Sequence, residues 1–205
     1  MTSNDVLAQL GVFLQPEFLT AAECDELISV AESTDSRPAA VYGYQAGESV
    51  DRKQRRASEV SGCEDEIGWL QQRLEGIRPV LSDHFGEVLT QSDTPTLLIY
   101  GPGDFFLPHR DNSSRRESTK MDETAESRKV TAVVYLNSEG DRSGRGDYEG
   151  GELTLYGLMQ FPGAEGHGFP VQGTPGLLVA FRAGERHGVS ELTRGRRYCA
   201  LTWYH

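Results

Sequence analysis

His109 and Asp111 stand two positions apart in LPHRDN, directly after the aromatic pair Phe105-Phe106. An imidazole and a carboxylate at that spacing suit a metal clamp, a fragment of a kinase catalytic loop, or an ordinary polar turn. The kinase reading requires an asparagine five residues past the aspartate, where Arg116 stands, and a DFG that does not follow. A hydrolase of the nucleophile-elbow type requires GxSxG, and the chain has none. The metal reading requires a third ligand, which His187 in AFRAGERHGVS supplies. Two imidazoles and one carboxylate form the facial triad of non-haem iron(II), which keeps coordination positions open. Residues two apart on extended backbone project to one face. His109 and Asp111 are therefore expected side by side on a strand, with His187 on another strand alongside.

Arg197 opens the final strand-like run, RYCALTWY. Along it Arg197, Cys199, Leu201 and Trp203 share one face, and Arg196, Tyr198, Ala200 and Thr202 with the other. A guanidinium on an inward face is costly unless it meets an anion, ideally a planar carboxylate gripped through two N–H groups. The plainer reading is a surface salt bridge to an acid, beside the neighbouring Arg194 and Arg196. The face that Arg197 shares with Leu201 and Trp203 favours burial.

The elements that would hold these residues are legible as periodicities. Thr20 and Glu23 form a capping box, and Cys24, Leu27, Ile28 and Ala31 behind it give one helical stripe. Ser61 and Glu64 repeat the device ahead of a second stripe, Ile67, Leu70, Leu74 and Ile77. Pro79 is expected to kink or end that helix, and Gly86 to stop it. Beyond Gly86 come short β-rich runs: 96–100, 130–136, 153–156, 176–181 and 197–204. Helices first and strands afterwards predict a mainly β (α+β) fold, a sandwich or jelly roll with N-terminal helices packed outside. The expected organisation is a single domain over 1–205, with a helical part at 1–86 and a jelly-roll core at 87–205. Three polar or Gly- and Pro-rich insertions, 112–129, 137–150 and 157–176, read as loops, with a lid expected among the three.

Composition narrows the class. The 205 residues carry a net charge of -11, so a phosphate backbone is repelled and no nucleic-acid partner is expected. No stretch approaches the ~20 apolar residues of a membrane span. The opening MTSNDVLAQLGVFL lacks the basic start and cleavage site of a secretory signal. The 3 cysteines (Cys24, Cys63 and Cys199) are widely spaced without CxxC, which argues against a disulfide framework or zinc knuckle. A cytoplasmic protein with reduced, buried thiols is expected. His84 at a helix end, His167 in a Gly-rich loop and His205 at the last position read as bland histidines.

Nearly the whole chain resembles the prolyl 4-hydroxylase-like branch of the iron(II)/2-oxoglutarate-dependent dioxygenases. FLTAAECDELI resembles the family's opening helix, and LLIYGPGDFFLPHRD its strand with a tyrosine, a Pro-Gly turn and the HxD pair. VTAVVYLN and YEGGELTLY resemble the next core strands, and HGVSELTRGRRYCALTWYH the distal histidine and basic cosubstrate residue. The resemblance implies a double-stranded β-helix with His109, Asp111 and His187 on iron and Arg197 on the far carboxylate of 2-oxoglutarate. Tyr100 and Tyr135 match pocket tyrosines, and Thr131, on the face of Tyr135, is expected to assist. Trp203 would lie on the inner face near the metal, chiefly as packing. Ser190-Glu191-Leu192 stands where many relatives carry proline, and Arg197 replaces a common lysine, so the substrate does not carry over.

The implied reaction consumes 2-oxoglutarate and O2, releases succinate and CO2, and hydroxylates an unactivated C–H, with ascorbate as an added reductant. Asp111 favours hydroxylation, since related halogenases lack that carboxylate to admit halide. The first expected substrate is a prolyl residue in a protein or peptide, and the second a free amino acid or other small metabolite. Outside that class stand a catalytically silent metal-binding jelly roll that recognises a partner, and a zinc hydrolase, which would not need Arg197.

Overall fold

The computed structural model describes residues 2–42, 48–112, 123–140, 147–159, 163–164 and 166–205. In chain order they form α1 (Ser3–Gln9), β1 (Phe13–Gln15), α2 (Ala21–Ser33), β2 (Ser36–Pro38), β3 (Val41–Tyr42), β4 (Glu48–Ser49), β5 (Arg55–Arg56), β6 (Ser58–Val60) and α3 (Gly68–Phe85). There follow β7 (Thr96–Tyr100), β8 (Phe105–His109), α4 (Glu123–Glu126), β9 (Val130–Tyr135), β10 (Tyr148–Gly150), β11 (Leu153–Tyr156) and β12 (Gly168–Pro170). The chain closes with β13 (Leu178–Arg182), β14 (Arg186–Val189), β15 (Leu192–Gly195) and β16 (Arg197–Tyr204). None of the helices is long and apolar enough to cross a membrane.

Two antiparallel sheets face one another as a jelly roll. The larger runs β1-β13-β9-β16-β7-β6-β2, and the smaller β12-β11-β14-β8-β5. Apolar side chains fill both faces of the larger sheet, which is why all six residues of β9 are buried. Val130, Ala132 and Val134 meet the helices, together with Tyr198, Ala200 and Tyr204 of β16. Val133 and Tyr135 turn inward to meet Leu153, Leu155 and Val189 of the smaller sheet. The face expected for Cys199 and Leu201 is the inward one.

The helices follow the sequence pattern with two corrections. Thr20 caps α2 through the expected reciprocal box, with Cys24, Leu27 and Ala31 buried. Ser61 and Glu64 do not start α3: the helix begins after Ile67, which makes no side-chain cap. Gly62 adopts a φ of 82°, so the position that would follow the Ser61 cap as first helical residue is not in right-handed helical conformation. Pro79 lies inside α3, which continues to Phe85 and stops at Gly86 in the left-handed conformation, φ 62°. An interior proline costs roughly 3 kcal/mol. Leu70, Leu74, Ile77, Leu81 and Phe85 are all buried along that helix, and at ~1.5–3 kcal/mol apiece they outweigh it.

Strand ends also shift. β13 starts at Leu178 rather than 176, because Gly176 sits in a turn at φ 78° where a Cβ would overlap the Leu19 carbonyl. β9 ends at Tyr135, one residue early. Before residue 86, where the sequence shows only helices, short strands extend both sheets: β1 pairs with β13, β6 with β7, and β5 with β8.

The α2 cap is tied to α3. Glu23 accepts from Arg73 at 2.8 Å and from the Thr20 N–H at 2.8 Å, and these bonds, Arg73 first, lower its pKa to about 2. A carboxyl with a depressed folded pKa stabilises the fold above the ordinary carboxyl range and loses that contribution as pH falls through the folded value. Glu23→Gln should therefore destabilise by about 1 kcal/mol at pH 7. The gap to the unsubstituted protein should close as pH drops from 4.5 towards 2, measured by urea unfolding across that range. A gap independent of pH would show that the charge plays no part.

Candidate metal centre and anion pocket

His109 ends β8 and His187 lies in β14, and the two are direct cross-strand partners. Asp111 is not on the strand. It stands in the turn beyond, its N–H donating to Ala183 O at 2.9 Å and its Oδ2 accepting from Thr131 Oγ1 at 2.7 Å. The expected same-face geometry therefore arises from two tethers, not from a continuous strand. The ligand atoms of the three residues all lie within 4.8 Å of one another. Asp111 Oδ1 is 3.3 Å from His109 Nε2, and Oδ2 is 3.5 Å from His187 Nε2.

Each imidazole is locked in one tautomer. His109 Nδ1 lies 2.9 Å from Leu107 O and His187 Nδ1 3.0 Å from Glu185 O. A carbonyl only accepts, so Nδ1 carries the proton and Nε2 turns its lone pair towards the carboxylate. Phe106 stacks on His109 with ring centroids 3.5 Å apart, and Phe181 meets His187 edge-on at 4.7 Å.

Electrostatics favour a cation between them. Burial lowers the pKa of His187 to about 4 against a partial offset from Asp111, so the ring is neutral at neutral pH. Burial alone would raise Asp111, but the two imidazoles and the Thr131 hydroxyl outweigh it and hold the carboxyl well below its usual range. Imidazole nitrogens with an ionised carboxylate are the donor set that suits iron(II).

Arg197 lies at the start of β16, opposite Tyr100, and is 1% exposed. Its guanidinium is 5.2 Å from the Tyr100 ring centre and 4.9 Å from that of Tyr135. Its Nε has no hydrogen-bond partner, nor have the Tyr135 and Tyr148 hydroxyls. Among the described residues no carboxylate pairs with Arg197. An uncompensated buried cation costs several kcal/mol, so the pocket fits an acceptor-only anion, as the far carboxylate of 2-oxoglutarate would be. Burial pushes the Tyr135 hydroxyl up to about 12, which keeps it a donor.

Thr131 shares the inner face of β9 with Tyr135, as expected, but its hydroxyl bonds Asp111 rather than lining the anion pocket. Arg194 and Arg196 do not join Arg197: Arg194 reaches Glu149 at 3.0 Å, and Arg196 stands 4.0 Å from Glu32. Trp203 pairs with Thr131 across the strands and packs under Arg128, 3.6 Å from its ring centre. Sequence reasoning missed Tyr148 and Arg55. Arg55 is 8% exposed, leaves Nε unpartnered and lies 4.7 Å from the Phe106 ring centre, beneath His109's stacking partner. Neither residue has a local pattern that marks it.

The remaining histidines are occupied elsewhere. His84 meets Gly11 O at 3.0 Å. His205 is buried, not bland, and bonds Asp93 at 3.0 Å and Ser127 at 2.6 Å. The three cysteines are buried and free. A cavity of ≈ 680 Å³ near His205 contains none of the three ligand candidates, and its Arg182 is already paired with Glu87 at 2.8 Å. The lid expected among the three insertions falls partly outside the described residues, which omit 113–122, 141–146, 160–162 and 165.

Fold and site together define a jelly roll with a two-histidine, one-carboxylate cluster beside a buried anion pocket. The model of the 2OG-Fe(II) oxygenase superfamily matches residues 95–205, more than half of the chain, and the protein belongs to that superfamily. No curated protein matches the sequence. Solved structures with the same fold include a Pseudomonas putida prolyl-4-hydroxylase, 23% identical, with a TM-score of 0.61 over 100% of this chain and 98% of that one. A Trichoplax adhaerens prolyl hydroxylase in complex with a hypoxia inducible factor peptide fragment is 20% identical, with a TM-score of 0.72 over 98% of this chain and 88% of that one. A viral collagen prolyl hydroxylase from Paramecium bursaria Chlorella virus-1 is 16% identical, with a TM-score of 0.58 and 94% of each chain covered.

The geometry ranks the effects of substitution on metal binding. His187→Ala and Asp111→Ala should abolish measurable Mn(II) binding by calorimetry. Thr131→Val should weaken it by about ten-fold, the effect of losing a group that orients a ligand. Equal affinity in Thr131→Val and the unsubstituted protein would remove the hydroxyl from the site.

Proposed function

We propose that this protein is an iron(II)- and 2-oxoglutarate-dependent hydroxylase whose substrate is a prolyl residue in a peptide or protein. The observation that carries the reading is the pairing of two sites along one strand face. Thr131 holds the Asp111 carboxylate, and Tyr135, four residues on, flanks the unpartnered Arg197. Four residues of strand span roughly 13 Å, so the carboxylate of the ligand cluster and the guanidinium flank one stretch of the same inner face. Likeness in fold to prolyl hydroxylases, one of them solved with a peptide, supports the prolyl substrate.

In this reading His109, Asp111 and His187 hold iron(II) through Nε2 of each imidazole and the carboxylate. Arg197 grips the far carboxylate of 2-oxoglutarate through paired N–H groups, with the rings of Tyr100 and Tyr135 against the guanidinium. That grip orients the 2-oxo acid end towards the ligand cluster. Thr131 keeps Asp111 aligned, while Phe106 and Phe181 wedge the imidazoles and exclude water from their flanks. Iron, when bound, supplies the redox chemistry by which O2 and 2-oxoglutarate yield succinate and CO2 and one oxygen enters a C–H bond. The 205 residues act as one unit, with β1, β5 and β6 pairing onto the core strands in support.

Aerobic incubation with Fe(II), 2-oxoglutarate and a panel of prolyl peptides, free amino acids and small metabolites tests the reading. Prolyl peptides should gain one oxygen by mass spectrometry with matched succinate release. Gain only on free metabolites would overturn the prolyl assignment. No turnover at all, with metal bound, would overturn the enzyme assignment. Asp111→Ala should abolish succinate formation. Arg197→Met should raise the KM for 2-oxoglutarate by roughly 100-fold, the effect of removing one partner of a buried charge pair.

A further inference from the structure

We propose that Tyr148 is a third cosubstrate-binding residue, whose hydroxyl joins Arg197 and Tyr135 on the far carboxylate and fixes the depth of the pocket. The inference rests on the 2-oxoglutarate reading and adds to it a residue that neither the HxD…H motif nor the distal arginine indicates.

Tyr148 is fully buried, and its hydroxyl has no partner. A buried polar group left unpaired costs about 1–3 kcal/mol, and a phenylalanine would fill the same space without that penalty. The neighbouring Tyr135 hydroxyl and Arg197 Nε are unpartnered as well. Arg197 Nε–H and the two phenol O–H groups can all donate to a carboxylate, whose two oxygens accept about four hydrogen bonds. Burial raises the Tyr148 pKa against the pull of Arg197, so the phenol stays a donor at neutral pH.

The backbone holds this side chain rigidly. Tyr148 pairs with Gly195 across β10 and β15, and its carbonyl accepts from the Gly140 N–H at 2.7 Å. Asp147 beside it accepts from the Ser138 N–H at 2.8 Å. Gly195 has a φ of 75° and comes so close that a Cβ would lie 3.0 Å from Tyr148 Cα. On the opposite side, a Cβ on Gly173 would overlap the Tyr135 ring and lie 2.8 Å from the Tyr148 hydroxyl oxygen. Gly173 therefore leaves space for both tyrosines, and the pair closes the pocket at a set depth. A carboxylate at the far end of the 2-oxo acid reaches all three donors, whereas a monoacid reaches none.

The test is calorimetry on the Mn(II)-loaded protein with two probes, 2-oxoglutarate and 2-oxobutanoate, which lacks the far carboxylate. Tyr148→Phe should weaken 2-oxoglutarate binding by about ten-fold or more, the range for a hydrogen bond to a charged group. It should leave 2-oxobutanoate unchanged. Tyr148→Leu, which removes the same hydroxyl with a smaller side chain and leaves Tyr135 untouched, should show the same selectivity and decides the matter if Tyr148→Phe does not fold. Unchanged 2-oxoglutarate binding, or equal losses for both probes, overturns the assignment of Tyr148 while the cosubstrate reading stands. Failure of the unsubstituted protein to bind 2-oxoglutarate overturns that reading, and this one with it.

Discussion

A guanidinium sealed inside a protein needs an anion, and Arg197 has none among the described residues. That imbalance organises the interior. Three tyrosines surround the charge, two with idle hydroxyls, and no acid has moved in to neutralise it. Apolar packing at this place would be more stable than an unpaired cation. Under the proposed function, that charge is completed by the far carboxylate of the cosubstrate.

The larger sheet makes this tension tolerable. Its outer face carries a helical core with Leu27, Leu70, Leu74 and Leu81, and its inner face carries both the packed residues of the jelly roll and the site. Each strand thus divides labour by parity. On β9 the even-numbered residues stabilise, and Thr131 and Tyr135 among the odd-numbered ones face the ligand cluster and the guanidinium. The helices carry no candidate ligand; they anchor the sheet from behind.

Local patterns were legible in the sequence, and long-range register was not. HxD, the distal histidine, the inward arginine and the main strand runs are short-range signals; His109, His187 and Arg197 fall on strands as expected, while Asp111 lies in the turn beyond β8. The Ser61 capping box failed because the pattern presumes right-handed helical backbone straight after the cap, which Gly62 does not provide. The short strands of the first 86 residues carry too few residues to show alternation and exist only through partners far along the chain. Tyr148 and Arg55 escaped for the same reason. Their significance lies in what β15 and β8 bring beside them, and no spacing in the chain encodes it.

Asp111 is carried by a turn and moored at two points, to the Ala183 carbonyl and the Thr131 hydroxyl. Because both moorings belong to the frame of the larger sheet, the carboxylate's position does not depend on how the chain continues after Asn112. An insertion or deletion placed after Asn112 would therefore leave both moorings in place.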